Sequence, residues 1–207
     1  VSVYDNKGTA LLQMGKNKEA LACYNKAIYL DPSHSNAYYN KGGILHSMGR
    51  IQEAMNCYNE AIRLNPRFTF AYANKGGVLF QMGKYEQAIY CYDQAICLDP
   101  SFSQAYYNKG YVLSSMGKNE EAVGCFNEAI RLNPQNASAF SEKAFTLVTM
   151  GKNEEAMDCF DRAINLDPKN FDYYNNKGYT LNMMKKSQEA IGCCDQAISL
   201  NPAHAKA

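Results

Sequence analysis

An asparagine recurs at intervals of 34 residues along this chain. Its side chain can bind a ligand through hydrogen bonds. Its carboxamide offers one acceptor and two donor hydrogens, so it can pair with both the N–H and the C=O of an extended backbone. A row of such groups would hold an unfolded segment without reading its side chains. The row consists of Asn6, Asn40, Asn74, Asn108 and Asn176, and Glu142 takes the remaining place.

Cysteine also recurs every 34 residues and forms a second row. In stacked helix pairs, members one period apart lie roughly 10 Å from each other. A disulfide needs Cα atoms within about 7 Å, and zinc needs four ligands around one point. We therefore expect small buried side chains in a reducing compartment, with no redox pair and no metal site. The row is Cys23, Cys57, Cys91, Cys125, Cys159 and Cys193.

Lysine forms a third row, at the edge of the apolar stripe of its helix. Its methylenes can cover apolar surface while the ammonium reaches water or a carboxylate. The alternative is a polyanion-binding row, but it lacks the interleaved bulky or arginine contacts of a nucleic-acid groove. A net charge of +1 also gives no overall field toward nucleic acid. The row is Lys7, Lys41, Lys75, Lys109, Lys143 and Lys177.

The elements that position these rows follow from a fixed period. In the second unit, Tyr38, Gly42 and Leu45 share one face of a first helix. Gly49 is placed to end that helix in the left-handed conformation, and a second helix must stop before the proline. A fixed spacing without insertions indicates a repeat architecture. All prolines of the chain obey it: Pro32, Pro66, Pro100, Pro134, Pro168 and Pro202.

The consensus of these units is aromatic, Gly, large apolar, Ala, aromatic, Ala, Pro. The third unit meets it with Tyr72, Gly76, Leu79, Ala88, Tyr92, Ala95 and Pro100. This pattern resembles the tetratricopeptide repeat (TPR). The resemblance implies an all-α fold, a right-handed α-solenoid superhelix of six helix-turn-helix units in one domain over residues 1–207. The repeats are 1–34, 35–68, 69–102, 103–136, 137–170 and 171–204.

The sixth repeat departs most from the pattern. Lys185 stands where a glycine should end the first helix, and Cys194 where the second aromatic residue should pack. The turn and the packing of this repeat are therefore the ones that the consensus specifies least.

Counted from the start of each repeat, the second, fifth, sixth, ninth, twelfth and thirteenth places lie on the first helix. They fall on the side opposite the apolar face that packs against the second helix. In a stacked superhelix they would line one inner groove, and the asparagine row is among them. The row resembles the asparagine ladder in the repeat region of O-linked N-acetylglucosamine transferases, which implies binding of a peptide backbone; peroxisomal import receptors also use groove asparagines. Aromatic side chains predicted for this groove are Tyr39, Phe70, Phe80, Tyr107, Tyr111, Phe145 and Tyr179, with His46.

The expected ligand follows from the charges of this groove. They are Asp5, Glu142 and Asp172 alone. The lysines and arginines with which related chaperone cofactors clamp an acidic C-terminus are absent. We therefore expect an extended, neutral or basic segment with apolar side chains. The alternative is that the asparagines are only solvated.

No enzyme motif is present, since the chain lacks a glycine-rich phosphate loop and zinc-ligand spacing. The histidines, His34, His46 and His204, have no fixed catalytic partner in sequence. We expect a non-catalytic protein–protein interaction scaffold without a cofactor. No apolar run reaches the roughly 18 residues of a membrane span, and a cytoplasmic location fits the cysteines.

Two other functions stay open. The chain begins at Val1 without a methionine, which suggests a piece of a longer protein. It could thus be the substrate-selecting arm of an enzyme such as a glycosyltransferase. It could also be a self-assembling scaffold, because no capping helix follows Pro202 and the last helix could stack on a neighbour's Val1 end.

Overall fold

The computed structural model describes residues 1–202, and this part of the chain contains twelve α-helices and no strand. The first helices are α1 (Ser2–Gln13), α3 (Ser35–Ser47), α5 (Thr69–Gln81), α7 (Ser103–Ser115), α9 (Ala137–Thr149) and α11 (Phe171–Met183). The second helices are α2 (Asn17–Leu30), α4 (Ile51–Leu64), α6 (Tyr85–Leu98), α8 (Asn119–Leu132), α10 (Asn153–Leu166) and α12 (Ser187–Leu200). The predicted all-α helical repeat fold is confirmed.

Residues 203–207 lie outside the described residues, and they include His204 and the end of the predicted sixth repeat. None of the described helices combines the length and the apolar character needed to cross a lipid bilayer.

The helices form two compact units, Val1–Pro100 and a second that begins at Ser101. In the first unit α2 packs on α3 and α4 on α5, so each second helix joins its own pair to the next one. The second unit repeats this with α8 on α9 and α10 on α11. First helices also meet each other, α3 with α5 and α9 with α11. The single domain over 1–207 stays a prediction.

The turn between the two helices of a repeat has the geometry that the glycine predicts. Gly49 has a φ of 74°, and the Arg50 N–H donates to the Leu45 carbonyl at 2.9 Å, which closes the end of α3. In the sixth repeat Lys185 adopts a φ of 60°, and the following N–H donates across the turn at 2.9 Å. Lysine therefore takes the same turn as the glycines of the other repeats, at a backbone cost of roughly 1–2 kcal/mol.

A close contact between glycine and an aromatic ring holds the two helices of a repeat together. A Cβ atom built on Gly42 would lie 2.8 Å from the ring of Tyr58, which real contacts do not reach. The ring is 1 % exposed, so it fills the interior of the pair and cannot swing away. The same contact joins Gly8 to Tyr24, Gly76 to Tyr92 and Gly110 to Phe126.

The last two repeats vary this contact. Ala144 replaces the glycine in the fifth repeat and is buried with Phe160 in one cluster, so the site can adapt to a methyl group. In the sixth repeat, a Cβ atom on Gly178 would lie 3.1 Å from the sulfur of Cys194. The glycine of this repeat thus faces a thiol, which is much smaller than the ring found in the other repeats.

We expect Gly42→Ala to destabilise the protein by about 1–2 kcal/mol, because overpacking against Tyr58 outweighs the intrinsic helical gain of alanine. Gly124→Ala is the matched control. It makes the same change in the exposed middle of α8, where a Cβ atom meets nothing within 4 Å. This control should gain up to about 1 kcal/mol. Urea midpoints from circular dichroism measure both, and equal midpoint shifts would contradict the contact.

Candidate functional site

The asparagine row lies on the first helices, and none of its members is buried. Side chains of this row therefore remain open to a ligand. Asn6 and Asn74 are exposed, and Asn40, Asn108, Asn176 and Glu142 are half-buried.

In the first unit the row lies where neighbouring first helices meet. The Asn74 Nδ2 donates to the hydroxyl of Tyr39 at 3.1 Å, which ties α5 to α3. At the other end of the same two helices, the His46 Nε2 lies 2.9 Å from the Gln81 Oε1. Because that oxygen can only accept, the imidazole donates. Each pair is 35 residues apart, one period plus one.

Tyr39 serves the fold as well as the predicted groove. Its ring centroid lies 4.9 Å from that of Phe68 and 6.1 Å from that of Tyr58. Burial raises the pKa of Tyr39, and the hydrogen bond from Asn74 opposes that rise. The hydroxyl therefore stays protonated at neutral pH and holds the carboxamide of Asn74 in place.

In the second unit a carboxylate takes the place of the carboxamide. Tyr107 and Glu142 are also 35 residues apart and correspond to Tyr39 and Asn74. Burial raises the pKa of Tyr107 to about 12, and the negative charge of Glu142 contributes. Burial also raises the pKa of Glu142, and no cation among the residues that the structure describes contributes to that shift. A partly desolvated carboxylate without a counter-ion is suited to accept a cation.

The ninth place of the first helix distinguishes the two units. In the second unit it carries three exposed aromatic residues, Tyr111, Phe145 and Tyr179, which are 39 %, 50 % and 63 % exposed. In the first unit it carries Thr9, Gly43 and Gly77. A Cβ atom on either glycine would meet only a tyrosine hydroxyl, at 3.8 Å, which is ordinary contact. Packing inside the protein therefore does not require these two glycines.

The remaining predicted aromatic residues differ in exposure. Phe70 is 53 % exposed at the start of α5. Phe80 is half-buried, and its ring centroid lies 5.6 Å from that of Tyr85. Both belong to the first unit, where Phe70 is the more open to a ligand.

The fifth place does not face solvent in every repeat, which corrects its assignment to the groove. Ala73 and Ser141 are each only 6 % exposed, so small residues at this place fill the interior. Asp5, at the same place of the first repeat, lies 3.5 Å from the His34 Nε2. Asp172, at the second place, is exposed as predicted.

Sequence reasoning missed the polar partners that orient the row. Gln104 donates to Asn108 at 2.9 Å from one turn earlier on α7, a spacing at which helical side chains meet. The pair of His46 and Gln81, next to the row, was also missed, because no pattern within one helix points to a partner 35 residues away. Ser114 and Thr146 also join α7 to α9, with 3.0 Å between their hydroxyl oxygens.

The cysteine and lysine rows serve packing. The predicted small buried cysteines are confirmed for Cys23, Cys57, Cys91 and Cys159, whereas Cys125 and Cys193 are half-buried and all eight cysteines are free. Burial raises the pKa of Cys57, and the nearby Lys41 ammonium opposes it. The lysine row is half-buried apart from the exposed Lys7, and Lys177 pairs with Asp161.

The chain belongs to the tetratricopeptide repeat family. The family profile described as "TPR repeat" matches residues 8–49, 76–117 and 146–185. The profile "Tetratricopeptide repeat" matches residues 35–68, 103–136 and 171–204, and a second profile of that description matches 57–90. No curated protein matches the chain.

Several solved structures share this fold at low sequence identity. YrrB, described as a TPR protein with an unusual peptide-binding site, is 24 % identical with a TM-score of 0.71; the match covers 88 % of this chain and 94 % of that one. Pseudomonas aeruginosa pilF is 24 % identical, with a TM-score of 0.86 over 98 % and 92 % of the two chains. PilW, a type IV pilus biogenesis factor, is 18 % identical, with a TM-score of 0.89 over 98 % and 94 %.

We expect Glu142→Gln to stabilise the protein at pH 7. Burial raises the folded-state pKa of Glu142, so ionisation opposes folding as pH rises through and above its unfolded pKa of about 4. The gain should fade toward about pH 3, below the unfolded pKa, where the carboxyl is largely neutral in both states. Urea midpoints at the two pH values measure it. Glu154→Gln removes the same charge from an exposed side chain and should give no gain; equal gains would contradict the prediction.

Proposed function

We propose that the chain is a non-catalytic scaffold that binds extended polypeptide along the first helices of each unit. Its family membership and its likeness in fold to YrrB, a TPR protein with a peptide-binding site, support this function. The eight free cysteines, four of which are buried, are compatible with a cytoplasmic location. The observation that carries the proposal is the pairing of accessible carboxamides with glycines that the fold itself does not need.

The first unit is suited to the backbone of the ligand. Glycine in the middle of a helix costs roughly 1 kcal/mol relative to alanine, and Gly43 and Gly77 have no packing reason to remain glycine. Close approach of a ligand is another reason for glycine. Asn40 and Asn74 lie three residues before these glycines on the same two helices, within one turn. Their carboxamides can bond a backbone that lies against the glycines.

The second unit is suited to the side chains of the ligand. Tyr111, Phe145 and Tyr179 offer exposed rings at intervals of one repeat. Glu142 adds a carboxylate whose burial is not offset by a cation, so a lysine or arginine of the ligand would lower its desolvation cost. The ligand that fits this surface is therefore apolar and neutral or basic.

Replacing Asn40 and Asn74 together with alanine should weaken peptide binding by about tenfold, on the order of 1 kcal/mol for each lost hydrogen bond. The probe is the tightest synthetic peptide selected from a random dodecapeptide phage library, measured by fluorescence anisotropy. Asn56→Ala is the matched control, because Asn56 is an exposed asparagine on the second helix α4. Equal affinities of the double variant and the wild type would contradict the hypothesis that these asparagines bind the peptide.

Replacing Gly43 and Gly77 with alanine should separate stability from binding. We expect the double variant to be more stable by about 1–2 kcal/mol, because both methyl groups find room within their helices. The same methyl groups would stand between the helices and the ligand backbone, so affinity for the selected peptide should fall. Unfolding and anisotropy are measured on one preparation. A variant that is more stable and binds as well as the wild type would show that the ligand does not approach there.

A further inference from the structure

One carboxylate interrupts the asparagine row inside the second unit. Glu142 lies on α9, at the place that Asn108 and Asn176 take on the first helices α7 and α11. Both of these helices contact α9. Glu142 is half-buried, so part of its side chain remains accessible. The middle helix of this unit therefore carries a negative charge where its two neighbours carry a neutral carboxamide.

Tyrosines from both neighbouring helices lie beside this carboxylate. Tyr107 of α7 precedes Glu142 by 35 residues, the spacing at which a tyrosine and an asparagine form a hydrogen bond in the first unit. Tyr173 of α11 is buried, and its hydroxyl oxygen lies 3.4 Å from that of Ser138, one turn before Glu142 on α9. Burial raises the pKa of Tyr107 most, and the negative charges of Glu142 and Tyr173 add to the rise, so both groups lie near its hydroxyl.

Two exposed rings follow one turn further along the same helices. Phe145 comes three residues after Glu142 on α9, and Tyr111 comes four residues after Tyr107 on α7. Side chains at these spacings share one face of a helix. The carboxylate and the rings therefore border one accessible surface, which combines a negative charge with aromatic faces.

Two lysines of this unit act on the second helix α10 instead of on Glu142. Burial raises the pKa of Cys159 on α10, and the Lys143 ammonium opposes that rise, although Lys143 directly follows Glu142 in the chain. The Lys177 ammonium pairs with Asp161, also on α10. Burial is the cause that raises the pKa of Glu142, without a contribution from a cation among the described residues. The Glu142 carboxylate therefore favours a cation supplied by a ligand.

A guanidinium fits such a surface better than an ammonium. It is planar and presents parallel N–H donors to both oxygens of a carboxylate, and it also stacks on aromatic faces. Because it is less strongly hydrated than an ammonium, it loses less solvation when it enters a half-buried site. Negative charge beside exposed rings therefore favours arginine over lysine.

We infer that Glu142 and the rings beside it form a site selective for an arginine side chain of the bound polypeptide. The guanidinium pairs with the Glu142 carboxylate and lies against the ring of Phe145. This inference rests on the proposed function, because a peptide along the first helices must deliver the arginine. The corresponding places of the first unit carry the carboxamide of Asn74 and the glycines Gly43 and Gly77. Selectivity for arginine therefore belongs to the second unit.

Parallel selections of phage-displayed random dodecapeptides on the 207-residue chain and on its Glu142→Gln variant test this site. Arginine should be enriched among the peptides selected on the wild type and not among those selected on the variant. The tightest arginine-containing peptide is then synthesised with arginine, lysine or citrulline, a neutral isostere of arginine, at that position. By fluorescence anisotropy the wild type should bind the citrulline peptide about tenfold more weakly, because the charged hydrogen bonds are lost. The lysine peptide should bind about twofold to fivefold more weakly, because the ring contact is lost.

Two variants separate the charge from the ring. Glu142→Gln should bind the arginine and citrulline peptides equally. Phe145→Leu keeps an apolar side chain without a ring, so it should bind the arginine and lysine peptides equally and still discriminate against citrulline. Glu154→Gln removes an exposed carboxylate from α10 and is the matched control, which should keep both preferences. Circular dichroism verifies that each variant folds.

The outcomes distinguish this site from the proposed function. Peptides whose binding depends on Asn40 and Asn74 but shows no preference for arginine over lysine and citrulline would overturn the arginine site and leave the proposed function intact. A preference for arginine that persists in Glu142→Gln would also overturn the site, because the arginine would then bind elsewhere. Failure to select any peptide on the wild type would overturn both.

Discussion

The close approach of two helices, made possible by a glycine opposite a ring, is the constraint on which this structure depends. Where Gly42 meets Tyr58, no side chain separates the backbone of α3 from the aromatic ring of α4. The ring is then held inside the pair, and its far side is available to the next repeat. In the sixth repeat Cys194 takes the place of the ring, and an open recess lies beside it between α11 and α12.

Stacking of the pairs determines which side chains of the first helices remain available. Hydrogen bonds between neighbouring first helices, such as Asn74 to Tyr39, use part of the polar surface to fix the spacing of the helices. The rest stays accessible, and it differs between the units. Glycines in the first leave a smooth surface, whereas exposed rings in the second, Phe145 among them, offer apolar contacts. One repeat architecture thus presents two kinds of accessible surface.

The surface between consecutive repeats combines apolar and charged contacts. Ala37 and Ile44 of the second repeat are buried together with Tyr24 and Ala27 of the first. Between the fifth and sixth repeats, the Lys177 ammonium pairs with the Asp161 carboxylate. The apolar contacts hold neighbouring repeats together, and the ion pair adds a charge match at the edge of the same surface.

The sequence by itself determined the helix pairs, their turns and the buried glycines, because a period of 34 residues and helical spacing are local properties of the chain. It also predicted the asparagine row, whose members are exposed or half-buried in the structure. Only the tertiary structure decided that Ala73 and Ser141 turn inward, that Tyr39 is held by two rings, and that Glu142 is desolvated without a cation. These outcomes depend on how one repeat is rotated and shifted against the next. That geometry arises from the packing of side chains about 35 residues apart, which no pattern within a single helix specifies.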